Sequence, residues 1–362
     1  VLRRLDFRPD VLHLHDWQTG LVPVLLATEL KEDPFYAGMA SLLTIHNLGY
    51  QGLFPPSILQ RLGLSPKLFA LEQMEYYGQV SFLKGGIQFA DLITTVSETY
   101  CREIQNPQFG FGFDGILRGR AEQLFGILNG IDPKLWDPAL DRALRHPYTA
   151  DDLKGKAASR KGLQKELGLA VGAERPIVAM VTRLDTQKGL DLVVEGWEEL
   201  LKRNLQFVLL GTGEHKHTAF FSALKERYPG QVAIRLAFDD ALARRIYAGS
   251  DIFLMPSHYE PCGLGQMIAL RYGSVPVVRH TGGLADTIVD PQDDPLRANG
   301  FTFTEASVPH LLAAVDRALD LFPDKRNWRK LMRRGMTQDL SWSRSAQRYL
   351  ELYQRAMEVH RA

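Results

Sequence analysis

Cysteine is almost absent. The 362 residues contain two, Cys101 and Cys262, too far apart in sequence to suggest a disulfide framework or a zinc cluster. That points to a reducing compartment, the cytoplasm, or a plastid if the source is a plant. Neither sign of charge dominates: the formal net charge is +1, with no long basic block, which argues against nucleic acid as a main partner. No apolar run reaches the roughly 18 residues of a membrane span, and no signal-like segment precedes the first element. The second half has no Gly-x-x-x-x-Gly-Lys-Ser/Thr loop and no Gly-x-Gly-x-x-Gly after its first strand, so a P-loop ATPase or a dinucleotide oxidoreductase does not fit. A Gly-x-Ser-x-Gly elbow is missing too, and no tight His/Cys/Asp/Glu spacing suggests a metal site. Neither a metal nor a cofactor is expected.

What is present is ample apolar material, 45% of the chain, enough for two cores. Short apolar strands alternate with helical segments throughout. Residues 9–14, 41–45, 91–96 and 125–128 read as strands of a first α/β domain, and 177–182, 206–211, 232–236, 252–255 and 276–279 as a doubly wound parallel sheet in a second. Helices are expected at 21–30, 82–90, 99–104 after the capping Ser97, 190–201, 220–228, 240–248 and 266–272. The glycine-rich stretch 106–119 reads as a surface loop. The segment 53–77 has two readings, part of an acceptor groove or, the favoured one, ordinary core for its aromatics Phe54, Phe69, Tyr76 and Tyr77. The turn chemistry of Asn129-Gly130-Ile131-Asp132-Pro133 places the passage between domains there. The first domain is thus expected at 1–128 and the second at 129–341. The last helix, 342–362, packs back on the first domain through Ala346, Tyr349, Leu350, Tyr353 and Met357.

Polar residues gather where strands end, which is the ligand-binding edge of open parallel sheets. In the first domain these are His15-Asp16-Trp17 and His46-Asn47. In the second, Ser257-His-Tyr-Glu-Pro-Cys-Gly-Leu-Gly265 sits between a strand and a helix, and Arg183 and Lys188 follow the first strand. Two cations five residues apart at such an edge suit a diphosphate. Thr212-Gly213-Glu214 and Thr281-Gly282-Gly283 add loops that let backbone approach a ligand, the latter offering N–H groups as a helix begins.

Seven ordered blocks carry a resemblance: His-Asp-Trp at 15–17, Thr-Ile-His-Asn-Leu-Gly-Tyr-Gln-Gly at 44–52, Phe-Leu-Lys-Gly-Gly-Ile-Gln-Phe-Ala-Asp at 82–91, Ile-Leu-Asn-Gly-Ile-Asp at 127–132, Thr-Arg-Leu-Asp-Thr-Gln-Lys-Gly at 182–189, Glu-Pro-Cys-Gly-Leu at 260–264 and Thr-Gly-Gly-Leu-Ala-Asp-Thr at 281–287. The chain resembles the bacterial and plant glycogen and starch synthases over essentially its whole length. The resemblance implies an α/β GT-B architecture, two Rossmann-like domains facing a cleft. It also implies retaining transfer of glucose from ADP-glucose to the 4-hydroxyl of an α-1,4-glucan. Arg183 and Lys188 then correspond to the pair that neutralises the diphosphate, and His46 to the histidine facing the donor sugar. Glu260, Cys262, Gly263 and Leu264 correspond to its sugar contacts, Asp16, Trp17 and Asn129 to pocket lining, and Phe238 to an aromatic against adenine.

Two departures stand out. Sucrose-phosphate-synthase-type relatives carry a second Glu eight residues after the first, and here that position is Ile268. The family also opens with a strand and a Lys-x-Gly-Gly loop that nothing in this chain matches. The first domain is therefore expected to lack on the order of a hundred residues at its start, with weak or no activity in this chain alone. A noncatalytic nucleotide- or glycan-binding remnant and a UDP-glucose-dependent transferase are the alternatives.

Overall fold

The computed structural model describes every residue except 173, 225, 226 and 362. The chain divides into two units, Val1–Asn129 with Ser343–Ala362, and Gly130–Trp342.

Unit 1 carries a parallel sheet of β1 (Val11–His15), β2 (Ala40–Ile45), β6 (Leu92–Thr95) and β7 (Leu124–Gly126), in that order. A three-stranded antiparallel sheet of β3 (Leu53–Phe54), β4 (Glu75–Tyr76) and β5 (Gln79–Ser81) lies within the segment between β2 and β6. These strands are too short to show a period of two in the sequence. β2 is buried at all six positions, the polar Ser41 and Thr44 included, as a strand covered on both faces is. Ser97 caps the helix Glu98–Glu103, its hydroxyl accepting from the Tyr100 N–H at 3.0 Å.

The second half of the 106–119 stretch is not a loop. Asp114–Gly119 is helical. Phe113 and Leu117, four residues apart, are both fully buried and fix that turn in spite of its two glycines. An Asp114–Arg118 pair at 2.9 Å runs along its outside. The helix Trp342–Arg361 packs on β2, β6 and β7 through Tyr349, Leu352 and Ala356, which meet Ala40, Leu42, Leu92 and Ile127. The expected face is therefore rotated: Ala346 and Leu350 are exposed, whereas Tyr353 and Met357 flank the contact. The core reading of the segment 54–77 also holds only in part. Phe54 and Tyr76 pack against clusters, but Phe69 and Tyr77 are exposed.

Unit 2 is built on six parallel strands: β8 (Ile177–Val181), β9 (Gln206–Leu210), β10 (Val232–Arg235), β11 (Ile252–Met255), β12 (Val275–Arg279) and β13 (Phe301–Phe303). Their order is β10-β9-β8-β11-β12-β13. Trp197, Phe207, Phe221, Leu254 and Val277 belong to its core. The helix expected over 190–201 is two, Leu190–Glu195 and Trp197–Leu201, broken at Gly196, where a Cβ would stand 2.8 Å from Val308. The helix after β9 runs His215–Leu224, starting five residues ahead of the expected Phe220; of the rest of that expectation, 225 and 226 lie outside the described residues. No helix among the described residues is long and apolar enough to cross a membrane.

Candidate active site

Counted along unit 2 alone, the strand order is 3-2-1-4-5-6, the doubly wound arrangement whose ligand crevice opens where the order reverses. The reversal lies between β8 and β11, which pair at Ile252↔Val178 and Phe253↔Ala179. The loops leaving the carboxyl ends of those two strands are the ones that hold Lys188 and Glu260. Their side chains meet: Lys188 Nζ donates to Glu260 Oε1 at 2.9 Å and Oε2 at 2.7 Å. Ser257 Oγ donates to Oε2 at 3.0 Å, and Glu260 is 5% exposed. A cation thus meets both oxygens of Glu260 and a hydroxyl meets one.

Backbone contacts make this meeting possible. Gly189 has φ 68°, and a Cβ there would lie 2.0 Å from the Pro256 carbonyl oxygen, so the two loops touch main chain to main chain. The His258 N–H donates to the Gln187 carbonyl at 2.9 Å, and Gln187 Nε2 returns a bond to the Tyr259 carbonyl at 3.3 Å. Asp185 receives the Lys188 N–H at 3.2 Å. Behind the turn, Gly282 and Gly283 leave room for the Glu260 and Cys262 carbonyls, which a Cβ would approach to 1.9 and 2.0 Å. The Gly283 N–H, expected to face an anion, is instead donated to the carbonyls of Glu260 at 3.1 Å and Pro261 at 3.2 Å. That loop shapes the Glu260 turn. Thr281, just ahead of it, is buried.

Other expected residues fall at varying distances from the pair. Arg183 meets Asp185 at 3.3 Å and Gln187 at 3.5 Å. Gly213 makes a backbone bridge to Leu184, and a Cβ there would meet the Leu184 carbonyl oxygen at 2.3 Å. Cys262 is buried, Gly263 has φ 69°, and Leu264 is exposed. Phe238 is 94% exposed. Two supporting residues escaped the sequence reading. Gln266 Nε2 donates to the Cys262 and Gly263 carbonyls at 3.0 and 2.9 Å, and Arg279 donates to the His258 carbonyl. The signal for Gln266 was available: one amide directly ahead of the buried apolar run Met267–Leu270 in the helix Gly265–Arg271.

In unit 1, β1 and β2 run in register from Val11↔Ala40 to His15↔Thr44, so their polar ends lie side by side. The His46 N–H donates to Asp16 Oδ1 at 2.7 Å, and His46 Nε2 lies 3.0 Å from His15 Nδ1. Asp16 holds that position with φ 54° and ψ −167°, a region that belongs almost wholly to glycine. Trp17 lies over Gly52, where a Cβ would reach its ring at 2.6 Å, and beside Phe54. Asn129 Oδ1 is buried without a hydrogen-bond partner among the described residues. His13, one turn of the pleat behind His15, bonds Tyr353 at 2.8 Å and Thr44 at 2.6 Å. Burial, then the neighbouring His15 and His46, lower its pKa to about 4. Burial also lowers that of His15.

A glycogen synthase of Syntrophotalea carbinolica is 62% identical over 362 residues, covering 100% of this chain and 75% of that protein. The chain belongs to the glycogen synthase family. The glycogen synthase of Thermotoga maritima is 48% identical over 99% of this chain and 74% of its own length. Residues 1–119 match the starch synthase catalytic domain and 168–334 the glycosyl transferases group 1. Among solved structures, the catalytic domain of starch synthase IV from Arabidopsis thaliana, bound to ADP and acarbose, is 37% identical, with a TM-score of 0.93 over 99% of this chain and 75% of that one. Sucrose-phosphate synthase from Thermosynechococcus elongatus, 20% identical with a TM-score of 0.62 over 98% of this chain and 75% of that one, shares the fold. A member of the glycogen synthase family with this fold is a GT-B glucosyltransferase.

Proposed function

We propose that the donor is ADP-glucose and that the acceptor is the free end of an α-1,4-glucan such as glycogen. The observation that carries this reading is the Lys188–Glu260 pair at the switch point of unit 2. An ammonium fixed beside a carboxylate there matches a diphosphate joined to a polyhydroxylated sugar: the cation compensates charge as the diphosphate leaves, and the carboxylate accepts from sugar hydroxyls. Arg183, exposed on the same loop, supplies the second cation by leaving Asp185 for the diphosphate. In unit 1, His46 is the candidate sugar contact, its backbone N–H held by Asp16, with Trp17 and Asn129 as candidate lining residues. The relative that binds ADP and acarbose, at 37% identity, supports an adenine nucleotide and an α-glucan-like ligand.

Glu260 is occupied by Lys188 and Ser257, so it does not serve as the nucleophile of a double displacement. Retention then comes from acceptor attack on the face the ADP leaves, with the leaving phosphate taking the acceptor proton. The test is ADP release with glycogen as acceptor and ADP-glucose and UDP-glucose in competition. Transfer from ADP-glucose at a higher kcat/KM supports the reading; preference for UDP-glucose, or nucleotide release without growth of the glucan, overturns it. A glucosyl adduct trapped on an Asp or Glu overturns the retention scheme.

A further inference from the structure

Unit 2 has a second concave site, apart from the Lys188–Glu260 pair. A cleft of about 890 Å³ opens between the helix Lys154–Leu167, the segment 143–146 and Arg245 of the helix Asp240–Gly249. That is the size of a small-molecule site. None of its lining residues comes from the loops at the carboxyl ends of the strands, where Lys188 and Glu260 meet.

Backbone contacts fix its walls to one another. A Cβ on Gly155 would lie 2.3 Å from the Pro147 carbonyl oxygen and 2.7 Å from that of His146, so the first helix starts hard against the segment. A Cβ on Gly249 would reach Leu163 at 2.8 Å and the Ser159 carbonyl oxygen at 3.1 Å, which brings the two helices equally close. Asp141 pins the segment by receiving the Ala143 N–H at 2.9 Å and Arg244 Nη1 at 3.4 Å.

The charge of the cleft is lopsided. Arg145, Lys161, Lys165 and Arg245 line it with Glu166 as the one carboxylate, a formal +3 where the whole chain sums to +1. Among the described residues Arg145, Lys161 and Lys165 have no ion-pair partner. Lys161 and Lys165 stand four apart on one helix face, a like-charged spacing that weakens a helix. Ala158 and Gly162 share that face and keep its floor low. A Cβ on Gly162 would meet nothing within 4 Å, so packing does not call for glycine at a mid-helix position where glycine is unfavourable. Arg245 is oriented in advance: Nε and Nη2 donate to Glu166 at 2.9 and 2.8 Å, which leaves Nη1 without a partner among the described residues.

We propose that this cleft binds a small organic phosphate, an ester or anhydride carrying at least two negative charges. Its phosphate oxygens take the four cations, the arginines as planar forks and the lysines as point charges, and its uncharged part lies on the Ala158–Gly162 floor. Bound phosphate relieves the repulsion that the empty cleft carries. The site does not depend on the donor or the acceptor proposed above.

Titration calorimetry at fixed ionic strength tests this, with ATP, pyrophosphate and sulfate as probes. It is run on the full chain and on two variants, Lys161→Gln/Lys165→Gln and Gly162→Leu. Neither variant alters Lys188, Glu260 or their loops, so transfer of glucose without added phosphates keeps the unsubstituted rate. The lysine variant binds one ATP and one pyrophosphate fewer per chain, or holds them weaker by about tenfold or more. Gly162→Leu fills the floor; it weakens ATP by about tenfold or more and leaves pyrophosphate in place. Without anions both variants keep or raise the thermal midpoint, one by losing a repulsion and the other by losing a helical glycine, so lost binding is not lost folding. ATP bound by both variants with unsubstituted stoichiometry and affinity overturns the proposal. Sulfate bound in the cleft as tightly as ATP also overturns it, because the cleft then reads charge alone.

Discussion

Removing either partner of the Lys188–Glu260 pair leaves the other in a place built for two. At the observed 2.7–2.9 Å the gross attraction is roughly 6 kcal/mol at an effective dielectric of about 20. Most of that is offset by desolvation of two nearly buried groups, whose side chains are 16% and 7% exposed. Lys188→Met strands the more buried partner, Glu260, without its cation, and is expected to destabilise unit 2 by about 3 kcal/mol. Glu260→Gln strands the more exposed lysine and costs about 2 kcal/mol. The double variant loses less than the sum, about 3 kcal/mol, a coupling near 2 kcal/mol. Denaturant unfolding followed by tryptophan fluorescence reads this out, because four of the five indoles, Trp136, Trp197, Trp328 and Trp342, lie in unit 2. Single losses that add to within about 0.5 kcal/mol of the double refute the pairing. Each single variant also lowers kcat/KM on the order of 100-fold, the usual scale for losing one group that meets developing charge.

Two further outcomes follow from the geometry. Gly283→Ala drives a methyl group to 2.0 Å from the Cys262 carbonyl oxygen, so the turn carrying Glu260 must shift; activity falls at least tenfold, and the unit 2 unfolding midpoint drops by more than about 2 kcal/mol in stability. His13, with its pKa lowered from 6.5 to about 4, stays neutral in the folded chain while the unfolded chain takes up a proton, so stability is lost as pH falls from 6.5 through 4. After allowance for its partial exposure this amounts to roughly 2 kcal/mol; His13→Gln flattens that slope in unfolding measurements across pH 4–7, and an unchanged slope refutes the assignment.

The parallel strands were legible because burial on both faces writes them as unbroken apolar runs: Ile177–Val181 and Ile252–Met255 need no partner to be read. Lys188 and Glu260 were legible as candidates from their places after strands. Their direct bond was not, because it depends on strand order, which crossover connections leave open. Arg183 looked like the twin of Lys188 by spacing, yet a nearby Asp185 takes it, and such local competition is invisible in a spacing argument. Helix Asp114–Gly119 was missed because glycine propensity is weaker than the burial of Phe113 and Leu117. Tyr77 was misread as core because sequence gives residue type and not φ.

The helix Trp342–Arg361 belongs to unit 1 almost entirely, although all of unit 2 precedes it in the chain. On the ribosome, the sheet face formed by Ala40, Leu42, Leu92 and Ile127 must therefore wait uncovered while unit 2 is made. At about 5–20 residues per second that interval is on the order of 10–40 s. Unit 2, contiguous from Gly130 to Trp342, can close first. For that time the nascent chain displays a finished second unit beside a half-lined first one, and the apolar sheet face is the surface that chaperones would meet.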